Sequence, residues 1–303
     1  MIEIIKNTKI DFMGKRFISL GVSALLVLIG FIAIIQIARG TANLGIDFAG
    51  GTAVQIKFNE MIPLQEIRQA LADGGISDFD LQDLPSENKI LVRIKKNENT
   101  LGNLSKEIIS VLSDAFSENN LVVDSTTEIG PKVGARLRKD ALWAIMAAII
   151  GILIYITVRF QFRFGIGATV ATFHDVLAVL SVFYLMGKEI NLILVSALLM
   201  IAGYSLTDSV VVFDRIRENL RMVRKKSTTE IVNQSLNEVL SRTVITSLTT
   251  FFAAFALYLF GGEVIHDFAF AIMIGIAIGT YSSMFVASPI VLLMGEEKAF
   301  KKY

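Results

Sequence analysis

The chain has 303 residues, 53% of them hydrophobic and 19% charged, with a net charge of +1, two His and no Cys. The missing Cys excludes disulfides, thiolate metal sites and thiol nucleophiles. Two His leave a histidine metal site unsupported, and the near-neutral charge argues against a nucleic-acid binder.

The first element in chain order is an apolar run from Phe17 to Ala38, long enough to cross a bilayer. It exceeds the apolar region of a signal peptide and no A-x-A site follows, so a retained helix is expected. Residues 1–38 are thus read as a cytoplasmic N-terminus and the first span. Residues 39–140 form a long loop of mixed charge, expected to fold by itself. Thr52 to Phe58 alternates like a half-buried strand, and Pro63 to Ala72 starts with Pro and carries apolar residues at helical spacing. Phe79 to Leu84 and Lys89 to Ile94 read as short strands around a turn at Pro85–Asn88. Thr100 to Phe116 reads as an amphipathic helix, and Leu121 to Ile129 as a closing strand. The order β-α-β-β-α-β is that of a ferredoxin-like α+β domain. The Gly-rich stretches GIDFAGG (45–51) and EIGPKVG (128–134) lead into and out of it and are expected to be tight turns.

Residues 141–303 hold five further apolar runs: Ala141 to Val158, Phe164 to Met186, Leu192 to Phe213, Val244 to Phe260, and Phe268 to Met294. Gly275 and Gly279 form a small-xxx-small pair suited to close helix packing. Ser227-Thr-Thr-Glu230 is a capping-box start within the loop 214–242. Behind it, Val232, Leu236, Val239 and Leu240 predict an amphipathic helix lying on the inner membrane surface until Arg242 begins the fifth span. Lys6, Lys9, Lys15 and Arg16, then Arg159 and Arg163, then Arg215 to Arg242, then Lys298, Lys301 and Lys302 fall on one side of a six-span chain. Short basic loops stay in the cytoplasm, so both termini are expected there.

Charged residues at membrane depth cost about 2.5–3.5 kcal/mol each on insertion scales, so they mark candidate sites. The candidates are His174 and Asp175 in the third span and Asp208 in the fourth. The fifth span adds Thr243, Thr246, Ser247 and Thr250 at i, i+3, i+4 and i+7, with Arg242 at the inner end. That pattern fits a proton or cation pathway, with Asp208 expected to face Arg242; His174 is read either as a relay member or as a partner of Asp175. Hydroxyls bonding back to their own helix are the plain alternative.

GIDFAGG, IGPKVG, FHDV (173–176), GYSLTDSVVVFDRIREN (203–219) and SRTVITSLTT (241–250) resemble the signature blocks of the SecF family, subunits of SecDF protein-export complexes. The resemblance spans nearly the whole chain. It implies an α-helical membrane protein whose six transmembrane helices form a bundle of the resistance-nodulation-division (RND) transporter class, with the ferredoxin-like domain outside, between helices 1 and 2. It implies a non-enzymatic, proton-motive-force-driven accessory role in late pre-protein export across the bacterial cytoplasmic membrane. The implied partners are SecD, the SecYEG channel, YajC and the pre-protein in a lipid bilayer, with no nucleic acid and no cofactor beyond the proton gradient. Carried onto this chain, the proton pathway falls on Asp208 and Arg242, with Asp175, His174, Thr246 and Thr250 beside them. The structural motifs fall on Gly45, Asp47, Gly50, Gly51, Gly130, Pro131, Gly134 and Gly203. The family has Asn where this chain has Thr207. A small-molecule RND exporter half is the alternative. An intramembrane aspartyl protease using Asp175 and Asp208 lacks its G-x-G-D motif here.

Overall fold

The structure, a computed structural model, describes residues 8–84, 88–95, 104–160, 162–223 and 226–294. The expected turn at 85–87, the first residues of the Thr100 helix, Arg224 and Lys225, Lys6, and the C-terminal lysines lie outside the described residues. The chain divides into two compact units: Asn43–Leu142 with Glu189–Leu192, and the remainder.

The smaller unit contains a short helix α2 (Ile46–Ala49), strand β1 (Gly51–Lys57), α3 (Leu64–Asp73), β2 (Phe79–Leu84), β3 (Lys89–Lys95), α4 (Leu104–Ala115) and β4 (Val122–Ile129). The strands form an antiparallel sheet in the order β2-β3-β1-β4, the ferredoxin-like arrangement. Alternation places Val54, Ile56, Ile90 and Val92 on one face, where Ile67 and Leu71 of α3 and Ile108 and Leu112 of α4 cover them. The two Gly-rich stretches meet at the foot of this sheet. Gly50 and Gly51 have φ of 77° and 152°. A Cβ on Gly50 would sit 2.9 Å from Pro131 Cα, and one on Gly134 would sit 3.0 Å from the Phe48 carbonyl oxygen. Side chains are excluded there because backbone passes against backbone. Asp47 Oδ2 accepts from the Leu192 N–H at 3.0 Å, and Gly45 and Asn43 pair with Ile190 through backbone bonds of 2.9 Å.

The larger unit takes in α1 (Arg16–Arg39), α5 (Pro131–Arg159) from Trp143 on, α6 (Phe162–Leu185), α7 (Leu192–Met222) from Ile193 on, α8 (Thr228–Phe260), α9 (Gly262–Ser282) and α10 (Ser288–Leu293). Counting α9 and α10 as one span, six stretches among the described residues are long and apolar enough to cross a membrane. Close approaches use small residues, as expected where lipid removes the hydrophobic drive between helices. A Cβ on Gly30 of α1 would meet the Leu177 carbonyl oxygen at 2.7 Å, and one on Gly275 of α9 would collide with Ile201 of α7. Between α9 and α10, Ser283–Ala287 widens into a π-helical turn. Pro289 has no N–H for the Phe285 carbonyl four residues back, and that carbonyl accepts from Ser19 Oγ on α1 at 3.3 Å.

One expectation is corrected. No separate surface helix precedes the fifth span, because α8 runs unbroken for 33 residues from its capping box at Ser227. Neither Gly nor Pro occurs between Ser227 and Gly261 to stop it. The apolar residues that suggested a membrane surface, Val232, Leu236, Val239 and Leu240, pack instead with Phe12, Met13, Phe213 and Ile216. The N-terminal segment is clasped to this part of α8. Asn237 bonds the backbone of Ile10 in both directions, at 2.9 Å each, and Asn233 Oδ1 accepts from Met13 N–H at 3.0 Å. The Asn233 amide and the Gly14 N–H hold the Asp11 carboxyl below its usual range.

Candidate functional site

Two carboxylates are buried in the helical unit, and each is served by hydroxyls from neighbouring helices. Asp175, fully buried on α6, accepts from His174 Nδ1 at 2.8 Å through Oδ1. Its Oδ2 accepts from Ser282 Oγ of α9 at 2.7 Å and from Ser205 Oγ of α7. Donors of this kind offset the cost of burying a carboxylate. Gly279 packs directly against Ser205, whose Cβ would stand 3.4 Å from a Cβ at that position.

Asp208 lies one helical turn from Ser205 on α7 and is 5% exposed. Its Oδ2 accepts from Ser247 Oγ of α8 at 3.3 Å. The Thr280 hydroxyl of α9 stands 2.7 Å from Ser247 Oγ and 2.8 Å from the Ile276 carbonyl. A hydroxyl has one hydrogen, so Thr280 either bridges to α8 or bonds within its own helix. Ser282 has the same choice between Asp175 and the Gly279 carbonyl at 3.2 Å. Four helices thus enclose a seam of polar groups running His174, Asp175, Ser205 and Ser282 on one side and Asp208, Ser247 and Thr280 on the other.

Of the residues expected from sequence, His174, Asp175, Asp208, Thr243 and Ser247 are buried. Thr246 and Thr250 are not in the seam. Thr246 Oγ1 bonds back to the carbonyls of Arg242 and Thr243, at 3.1 and 2.9 Å, and is exposed. Thr250 bonds the Thr246 carbonyl at 3.0 Å and stands 3.4 Å from the Tyr204 hydroxyl. The expected approach of Arg242 to Asp208 is not made. Arg242 is exposed and no ion pair joins the two. Its position is about 140° around α8 from Ser247, which faces Asp208. Thr207 does not touch the carboxylate either: its hydroxyl donates to the Tyr204 carbonyl at 2.7 Å. Sequence reasoning passed over Ser205, Thr280 and Ser282. The signal was present in Thr280-Tyr-Ser-Ser283, a polar interruption of an apolar span directly after Gly279.

The chain matches the family described as "Protein export membrane protein SecD/SecF, C-terminal" over residues 109–297, and the "SecD/SecF GG Motif" over residues 42–60. It is 55% identical to a protein translocase subunit SecF of Thermodesulfovibrio yellowstonii over the full length of both chains. It is 43% identical to another of Calditerrivibrio nitroreducens, with 97% of each chain covered. A crystal structure of SecDF, a translocon-associated membrane protein from Thermus thermophilus, superposes with a TM-score of 0.79 at 35% identity. That match covers 95% of this chain, which spans 39% of the SecDF chain. The chain belongs to the SecD/SecF family of protein-export membrane proteins, on the SecF side of it.

Proposed function

Because the chain is a SecF-type translocase subunit with six membrane-spanning helices, we propose that it couples the proton-motive force to the late stage of pre-protein export. In this reading it sits in a bacterial cytoplasmic membrane with both termini inside, paired with a SecD-type partner beside SecYEG and YajC. The proton gradient supplies the energy, and no resident cofactor takes part. The observation that carries the reading is Asp208: a buried carboxylate with a single hydroxyl donor among the described residues, set among hydroxyls that can switch partner. An ionised carboxylate so poorly solvated by its surroundings gains from binding a proton or from a new donor. Protonation of Asp208 therefore changes which bonds Ser247 and Thr280 prefer, and with them the packing of α7 against α8 and α9. Arg242 serves as the basic exit group once α8 turns it towards the seam. One charge moved across the membrane is worth about 2.3 kcal/mol per 100 mV, enough to bias two such arrangements.

The test is Asp208→Asn in the assembled complex. It is expected to reduce gradient-dependent completion of pre-protein export to the level seen without a gradient, while the subunit still co-purifies with its partner. Normal gradient-dependent export in that variant overturns the mechanism.

A further inference from the structure

The seam leaves one buried group without a role. His174 is 3% exposed and bonds Asp175 through Nδ1, while its other ring nitrogen, Nε2, has no hydrogen-bond partner among the described residues. Buried polar atoms are nearly always paired, with protein or with an ordered water. The His174 ring stands 6.4 Å, centroid to centroid, from the ring of Tyr281 on α9. The Tyr281 hydroxyl belongs to a second polar cluster, on α1. It donates to the Ser19 carbonyl at 2.8 Å and lies 3.3 Å from Ser23 Oγ. Ser19 Oγ stands 2.9 Å from the Arg16 carbonyl, so this cluster follows α1 to its first residue.

We propose that a water molecule bound at His174 Nε2 joins the His174–Asp175 pair to Tyr281 and Ser23, giving the seam a second proton-carrying arm that ends on α1. The proposal rests on the proton-driven reading above and extends it to residues which that reading does not use. Asp175, with hydroxyls already on Oδ2, takes the Nδ1 hydrogen on Oδ1, which leaves Nε2 as the acceptor. An excess proton arriving on the water passes to Nε2 as the Nδ1 proton passes to Asp175 Oδ1. One N–H bond forms and one breaks, the imidazole is neutral before and after, and the carboxylate is neutralised. The ionisable groups brought by the surrounding helices are Asp175 on α6, Tyr281 on α9 and Asp208 one turn beyond Ser205 on α7; α1 brings the hydroxyls of Ser19 and Ser23 and, at its first residue, the Arg16 guanidinium.

The chain has two His, so His266→Gln leaves His174 as the sole reporter in ¹⁵N-histidine NMR of the full chain in lipid nanodiscs. The expected spectrum shows a protonated Nδ1 and an unprotonated, hydrogen-bonded Nε2. Tyr281→Phe, which keeps the ring and removes the hydroxyl, is expected to move the Nε2 resonance by several ppm. Ser23→Ala is expected to move it less, and Thr246→Val not at all. A proton resident on Nε2, or an Nε2 resonance indifferent to both Tyr281→Phe and Ser23→Ala, overturns the proposal. Should Tyr281→Phe not fold, Ser23→Ala carries the same decision. The readout involves no transport, so this arm and the Asp208 mechanism fail separately.

Discussion

The two units bury opposite things. Beneath the sheet of the α+β unit the core is apolar apart from the Thr52 hydroxyl, from Val54 and Ile56 to Ile108 and Leu112. The helical unit buries His174, Asp175, Asp208, Asn219 and a series of Ser and Thr hydroxyls. Water drives the first kind of core together, since each buried aliphatic side chain leaves an aqueous surface. Lipid gives no such drive between helices, so the second depends on small residues, close backbones and shared hydrogens. What one unit gains from excluding polarity, the other gains from placing it, and only placed polarity can change state with a proton.

Leu112→Ala removes a fully buried side chain from the α+β core and is expected to cost about 2–5 kcal/mol. Hydrogen exchange should show the loss confined to the sheet and its two helices. Gly275→Leu is expected to cost about 1–3 kcal/mol, because α9 must draw back from Ile201. Unfolding in mixed micelles measures it, and an unchanged midpoint would mean that close packing does not hold α9 to α7. The smallest effects belong to Ser205→Ala and Ser282→Ala, each about 0.6 kcal/mol by the average for hydrogen bonds between membrane helices. The double variant should cost more than their sum, since Asp175 Oδ2 then loses both donors. If either serine rivals Leu112 in cost, polar burial in this bundle is chiefly structural and the contrast fails.

Much of this was legible in the sequence, for identifiable reasons. Long apolar runs and period-two alternation are strong local signals, and they gave the six spans and the ferredoxin-like order. The continuity of α8 is hidden in the sequence because a basic residue, Arg242, has the look of a span boundary, although neither Gly nor Pro interrupts helical hydrogen bonding around it. Asp208 stood out because charge is rare at depth, whereas Ser205 and Ser282 did not, because one serine in a span is ordinary. Their role depends on where α7 and α9 cross, and that is set by Gly275, where a Cβ would collide with Ile201 of the distant helix. The pairing of Asp208 with Arg242 assumed that residues near each other along a helix share a face, which five residues of separation do not provide.

The unbroken α8 has a mechanical consequence. Thirty-three residues make a rod about 50 Å long, well over the roughly 30 Å of a bilayer's hydrocarbon. Ser247 sits about 30 Å from the Ser227 cap, so a tilt of about 10° pivoting at Ser247 swings the capped end by roughly 5 Å. Asn233 and Asn237 carry residues 10–13 on that swinging end. A change of hydrogen-bond partner beside Asp208 that tilts α8 about Ser247 would therefore be felt at its far, capped end, where a neighbouring protein can respond.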